Sequence, residues 1–227
     1  MTRTPRRQIW RLPAPDTPLL RDAAGGDVAL LRDLTHALLR ADRPEEAFQF
    51  ALDRSCPVVG ASLGSVFVLD GSSELLRLVA AHAWPERWRP WLGDMRVRVG
   101  FGPSGEAVSE RRTIEVPDVF ADPGLEDWQE VARELGFRAL VALPLTTAER
   151  VVGAATFYFA EAVAPDARVR ALLSATADVM AAIAEKSALR ERVRRAEALL
   201  DEISPLPPTA AEPAEAGTED GQADEPA

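Results

Sequence analysis

The sequence predicts an antiparallel α+β domain. Three observations carry that prediction. Two pairs of apolar runs are each joined by a short turn, which is hairpin chemistry. Helical stretches lie before, between and after those pairs rather than alternating with single strands. Of the 227 residues, 47% are hydrophobic, enough to bury a sizeable core.

Residues 1–26 are rich in Pro, Arg and Gly and are expected to be a flexible arm. Asp27 can cap a helix to about Ala41, with Leu30, Leu31, Leu34, Leu38 and Ala41 at helical spacing. His36 falls off that stripe and should be exposed. Asp42-Arg-Pro-Glu45 has the form of a capping box with proline in the first turn. Its helix should end near Ser55, before Pro57, and turn Ala47, Phe48, Ala51 and Leu52 inward. Strands are expected over residues 63–69 and 75–82, turning at Asp70-Gly71.

Trp84, Trp88 and Trp91 come next at spacings of four and three, one side of a helix if the segment is helical. Arg96-Val-Arg-Val99 alternates like a half-buried strand. Gly100-Phe-Gly-Pro-Ser-Gly105 is a turn into a short helix over residues 106–109, and residues 113–116 form a short strand. Residues 126–135 form a helix closed by Gly136 in a left-handed cap. Residues 138–145 and 151–159 are apolar on both faces, so they belong centrally in a sheet covered on each side. A long helix runs from about Asp166 to Ile203. Residues 204–227 hold six acids and no base, and are expected to be disordered.

Charge narrows the function classes. The net charge is −10, and removing that tail leaves −4, which argues against nucleic acid as a partner despite Arg3, Arg6, Arg7 and Arg11. Cys56 is the sole cysteine, so no internal disulfide and no thiolate zinc site can form, and no metal site is expected. No run approaches the ~20 apolar residues of a membrane span. A cytoplasmic protein is expected, and 25 Arg against one Lys suggests a GC-rich bacterial genome.

A resemblance enters at Gly100. Gly100-Phe-Gly-Pro-Ser-Gly-Glu-Ala-Val108 resembles the glycine-rich strand-to-helix turn of GAF domains. Thr113-Ile-Glu-Val-Pro-Asp118 resembles that family's short strand ending in aspartate, and Asp122-Pro123 resembles the Asp-Pro step after it. Gly136-Phe-Arg-Ala-Leu-Val-Ala-Leu-Pro-Leu145 and Val151-Val-Gly-Ala-Ala-Thr-Phe157 are similar to its paired strands. The resemblance covers about residues 27–190. It implies a GAF/PAS-like central antiparallel sheet, with helices packed on one face, a long C-terminal helix and room for a ligand on the other face. Family members bind cyclic nucleotides, bilins, haem, small metabolites or nothing, and usually regulate an output domain or partner.

Departures from the family bear on the ligand. No Cys-His dipeptide is present, which disfavours a covalent bilin, and the cofactor stays unknown. The chain has no asparagine, which lowers the cyclic-nucleotide reading. One GAF lineage reduces free methionine sulfoxide with several cysteines. The single cysteine here blocks disulfide cycling within the chain. No catalytic residue is therefore assigned and a non-enzymatic module is expected. A redox enzyme of the same fold, dependent on Cys56 or His82, is the alternative.

The candidate ligand-binding residues are Trp84, Trp88, Trp91, Arg96, Arg98, Phe101 and Asp118. Core or lid packing is the plain reading of the tryptophans, and solvent exposure that of the charged residues. Val179, Ala182, Lys186, Leu189, Val193, Ala196, Leu200 and Ile203 step alternately by three and four, a heptad seam. Leu189, Val193, Ala196, Leu200 and Ile203 are the expected seam of a homodimer, although Lys186 interrupts it. The expected organisation is an arm (1–26), a GAF domain (27–185), a candidate coiled coil (186–203) and an acidic tail (204–227). The expected function is sensory or regulatory in bacterial signal transduction, through a small ligand or a signalling protein. A ligand-free interaction and dimerisation module is the rival reading.

Overall fold

Turn chemistry at Asp70-Gly71, between two apolar runs, produces β1 (Leu63–Leu69) and β2 (Leu75–His82). The computed structural model describes residues 23–203, apart from Ser72, residues 89–92 and Glu149. The expected acidic tail and most of the expected arm lie outside the described residues. Two helices precede the first hairpin, α1 (Ala23–Arg40) and α2 (Pro44–Val59). After it come β3 (Arg96–Arg98), α3 (Gly102–Glu110), β4 (Ile114–Val116) and α4 (Glu126–Leu135). The second hairpin, β5 (Ala139–Thr146) and β6 (Val151–Phe159), leads into α5 (Ala167–Ile203).

The strands form one six-stranded sheet in the order β3-β2-β1-β6-β5-β4. Every neighbouring pair is antiparallel, as expected for hairpin-built strands. β6 is central and buried along its whole length, which is why its sequence is apolar on both faces. Side chains alternate between the two faces. On one face Val66, Val141, Leu143, Ala155 and Phe157 pack against Leu30 and Leu34 of α1, Phe48 and Leu52 of α2, and Leu173 and Met180 of α5. Phe48 and Phe157 are fully buried and contribute about 2–3 kcal/mol each through lost apolar exposure. On the other face lie α3, α4 and the loops around them.

Three local expectations are corrected. α1 begins by Ala23, so Asp27 lies inside the helix rather than capping it; its carboxylate pairs with Arg168 at 2.5 Å instead. The cap of α2 is Arg43, which makes no side-chain cap bond, and Pro44 supplies the first-turn geometry. α2 also runs through Pro57 to Val59. A proline in the last turn forfeits one backbone bond, while buried Cys56 and Val59 and the left-handed cap at Gly60 hold the turn closed. Gly136 closes α4 in the left-handed conformation, as expected.

The chain divides into two units, Met1–Ala188 and Leu189–Ala227. In the first, the Lys186 ammonium donates to the carbonyls of Leu38 (2.5 Å) and Leu39 (2.9 Å) at the C-terminal end of α1. That explains the cation on the heptad seam: it caps a neighbouring helix. In the second unit, the side chains of residues 189–200 are exposed, with Leu189, Val193, Leu199 and Leu200 each more than half so.

Candidate functional site

Strand alternation puts Ser65 of β1 opposite Thr156 of β6, on the sheet face away from α1, α2 and α5. Both are fully buried in strands otherwise apolar. Burial of a hydroxyl demands a partner, and each has one. Ser65 Oγ lies 3.1 Å from the Tyr158 hydroxyl, and Ser104 Oγ of α3 lies 2.8 Å from Thr156 Oγ1. Burial pushes the Tyr158 hydroxyl up to about 12, with smaller opposing contributions from Ser65 and Thr156. Ser104 can reach the sheet because α3 sits against β3: a Cβ on Gly105 would lie 2.3 Å from the Arg98 carbonyl oxygen.

Aromatic rings close over these hydroxyls. Phe137 packs on Tyr158 with centroids 4.8 Å apart. Trp84 meets Tyr158 edge-on at 6.3 Å, and Trp88 meets Trp84 edge-on at 6.2 Å. The Trp84 indole N–H donates to the Gly64 carbonyl at 3.2 Å. The Trp88 indole nitrogen is buried and has no acceptor among the described residues. The segment enters from β2 through Ala83, a non-glycine residue held at φ 56°. Arg87 then ties it to the end of α4 through the Glu134 carboxylate (3.1 Å) and backbone carbonyl (3.0 Å). Apolar rings and a donor without an acceptor among the described residues suit a small planar molecule that accepts a hydrogen bond.

The other expected ligand residues are dispersed. Residue Trp91 lies outside the described residues. Arg96 and Arg98 sit on the edge strand β3, on the opposite side from Val97, which faces α3. Phe101 is 54% exposed and tilts against Trp128 at 6.1 Å. Asp118 accepts the Phe120 N–H at 3.0 Å and pairs with Arg138 at 2.5 Å, and these contacts, the backbone N–H first, hold its carboxyl below the usual range. Sequence reasoning misses Ser65, Ser104, Thr156 and Tyr158. Their signal is an isolated hydroxyl in an apolar strand, which periodicity counts only as a gap.

Cys56 and His82 lie on the helix-covered side. The Cys56 thiol is buried beside Gly64 and is pushed up to about 12, mainly by burial and then by Asp53. His82 Nδ1 lies 2.7 Å from the Asp53 carboxylate.

A family model described as GAF domain matches residues 41–185. No curated protein matches the sequence. Among solved structures, the chain is similar to the GAF domain of a phosphoenolpyruvate-protein phosphotransferase from Coxiella burnetii. That pair shares 19% identity with a TM-score of 0.65, over 75% of this chain and 99% of that one. It is also similar to the free methionine-R-sulfoxide reductase of Neisseria meningitidis solved with its substrate, at 18% identity and TM-score 0.60, over 74% and 93% of the two chains. The reduced form of the Staphylococcus aureus fRMsr is similar at 16% and 0.57, over 69% and 94%. These likenesses establish the shared fold. They also correct the expectation of a non-enzymatic module, because the fold carries reductases. That expectation rested on one cysteine and two histidines, a count that blocks disulfide cycling within the chain and leaves other chemistry untouched. Among the described residues no helix is long and apolar enough to cross a membrane.

Proposed function

Because the chain belongs to the GAF domain family, a family of sensory and regulatory modules, we propose that it binds a small planar molecule at the Trp84–Trp88–Tyr158 cluster and passes occupancy on to a protein partner. One observation supports this reading above the others: the buried Trp88 N–H without an acceptor among the described residues. Such a donor costs about 1–3 kcal/mol while unpaired, and a ligand carbonyl or ring nitrogen recovers it. Ligand affinity that differs between two arrangements of the body would be the signal. The working organisation is a sensory body over residues 27–185, a pairing helix over 186–203 and an acid-rich tail, in a cytoplasmic bacterial protein that forms a homodimer.

The test is native mass spectrometry of the freshly purified full chain against its denatured mass. An added mass that vanishes on denaturation, and is absent from Trp88→Phe, supports the reading. An added mass retained by Trp88→Phe places the ligand elsewhere. A bare chain that also shows no saturable quenching of tryptophan fluorescence by a library of planar carbonyl compounds overturns it. Any molecule so identified is also the compound to offer as a substrate.

A second reading, a ligand-free interaction and dimerisation module, is favoured by a different observation. Leu189, Val193 and Leu200 are 51%, 56% and 66% exposed at heptad spacing. An apolar row of that kind is covered when a second copy pairs with it.

A further inference from the structure

Strand register places Arg77 of β2 directly opposite Arg96 of β3, and Leu75 opposite Arg98. Alternate residues share a face, so Arg77, Arg96 and Arg98 stand together on one side of the sheet edge. Like charges directly opposite each other destabilise a strand pair, so this arrangement calls for a counter-charge. Nothing among the described residues supplies one adequately. Arg96 donates only to the main-chain carbonyls of Gly93 and Met95, both at 3.0 Å. Arg98 approaches Glu74 at 3.5 Å with both side chains more than 70% exposed, a contact worth little in water. Arg77 forms no ion pair among the described residues. Elsewhere on the same body arginines meet carboxylates closely: Arg138 with Asp118, Arg168 with Asp27, Arg170 with Glu115.

The strand that carries two of the three arginines is also a terminal strand, open at Arg96 among the described residues. β3 ends the sheet. Leu78 N–H donates to the Met95 carbonyl and Val99 N–H to the Glu74 carbonyl, so residues 95 and 99 turn their backbone groups toward β2. By the antiparallel alternation the Arg96 amide and carbonyl then point outward, whereas the Arg98 carbonyl accepts the Phe101 N–H at 3.0 Å, so an added strand pairs its backbone at Arg96. Unpaired strand edges are templates for an added strand. An extended peptide laid along β3 would repeat its side chains every second residue, about 6.5–7 Å apart, the same spacing as Arg96 and Arg98.

We infer that this edge docks an extended acidic segment of a partner protein, with carboxylates at alternate positions facing Arg96 and Arg98 and reaching Arg77. A peptide fits better than a nucleic acid on two grounds. It supplies the backbone groups an open strand lacks, and it asks for few positive charges from a chain whose net charge is −10. The inference stands whether or not the aromatic cluster holds a ligand.

Fluorescence anisotropy of the full chain with a labelled ten-residue peptide of alternating Glu and Thr tests it. Saturable binding is expected, weakened by added salt and by on the order of tenfold or more in Arg96→Glu/Arg98→Glu. Arg96→Gln/Arg98→Gln, checked for native circular dichroism, repeats the test with a milder change, and Arg194→Glu should leave binding unchanged. Equal binding by the arginine variants, or by a peptide with Gln for every Glu, overturns the charge assignment. Equal binding by a peptide with proline at every Thr position overturns strand addition. Tighter binding of a single-stranded oligonucleotide overturns the choice of partner.

Discussion

Replacing Gly153 with alanine should damage the sheet at its centre. Gly153 lies in β6 opposite Val68 of β1 and Leu145 of β5. An added Cβ would stand 2.1 Å from the Phe67 carbonyl oxygen, 3.0 Å from Val68 Cα and 3.1 Å from the Phe67 carbonyl carbon. All three are backbone atoms, so no side chain can swing aside; β1 and β6 must separate. The pairing with β5 is already irregular nearby, with a register shift at Leu145/Thr146, as expected where a strand glycine admits a close backbone approach. Overpacking a core costs about 1–3 kcal/mol. The loss of unfolded-chain freedom on Gly→Ala returns about 0.4–1 kcal/mol. With backbone on the receiving side the upper half of the first range applies, leaving a net loss of about 2 kcal/mol. For a domain of this size that lowers Tm by about 4–8 °C. The assay is urea unfolding followed by circular dichroism, with Gly93→Ala as the control because a Cβ there meets nothing within 4 Å. If Gly153→Ala unfolds within about 0.5 kcal/mol of Gly93→Ala, the steric reasoning is wrong.

Four further outcomes are expected. Trp88→Phe removes a donor without an acceptor among the described residues and should leave the unliganded protein as stable as before or slightly more so, whereas Trp84→Phe breaks a bond to Gly64 and should cost about 1 kcal/mol; thermal melts showing the reverse order would mean that Trp88 has an acceptor. Burial raises the Cys56 pKa from 9.0 to about 12, so the unfolded chain releases its proton first. The thiol's stabilising contribution is therefore complete below pH 9 and fades as pH rises toward 12, by at most about 1.4 kcal/mol per pH unit, and Cys56→Ala should flatten the wild-type decline between about pH 9 and 10 in denaturant titrations. Glu115 is held below its ordinary pKa, chiefly by the Arg170 hydrogen bond. Its contribution is present above about pH 4.5 and lost as pH falls through the folded-state value, so acid unfolding should be less steep in Glu115→Gln. Light scattering should find a dimer for the full chain and a monomer for a chain ending at Ala188; a full-chain monomer refutes the seam, and a truncated dimer moves the interface to the body.

Much of the fold was legible because local chemistry and tertiary packing agree. Asp70-Gly71 turns where hairpin chemistry asks, Gly136 caps where the helical stripe stops, and β6 is central because no face of it is polar. Where they disagree, packing decided. Asp27 has the chemistry of a cap, but Arg168, more than a hundred residues away, claims its carboxylate. Pro57 should end a helix, yet the burial of Cys56 and Val59 carries α2 past it.

The site was less legible because it is assembled across the sheet. Tyr158 meets Ser65 only because β1 and β6 are neighbours, and strand order is not written in either segment. Arg96 and Arg98 group with the tryptophans only by closeness in sequence. Alternation on β3 turns those side chains away from Val97 and so away from the face that carries Tyr158. Trp84 and Trp88 do converge, through a short turn rather than the helix their spacing suggests.

Lys186 is the chain's sole lysine, and its amine is engaged by the last carbonyls of α1. Apart from the N-terminus, amine chemistry on this protein therefore addresses one helix junction. Acylation of Lys186 should be slow while α1 is seated and fast when it lets go, so a mass shift tracked over time would clock the undocking of α1 without any engineered label.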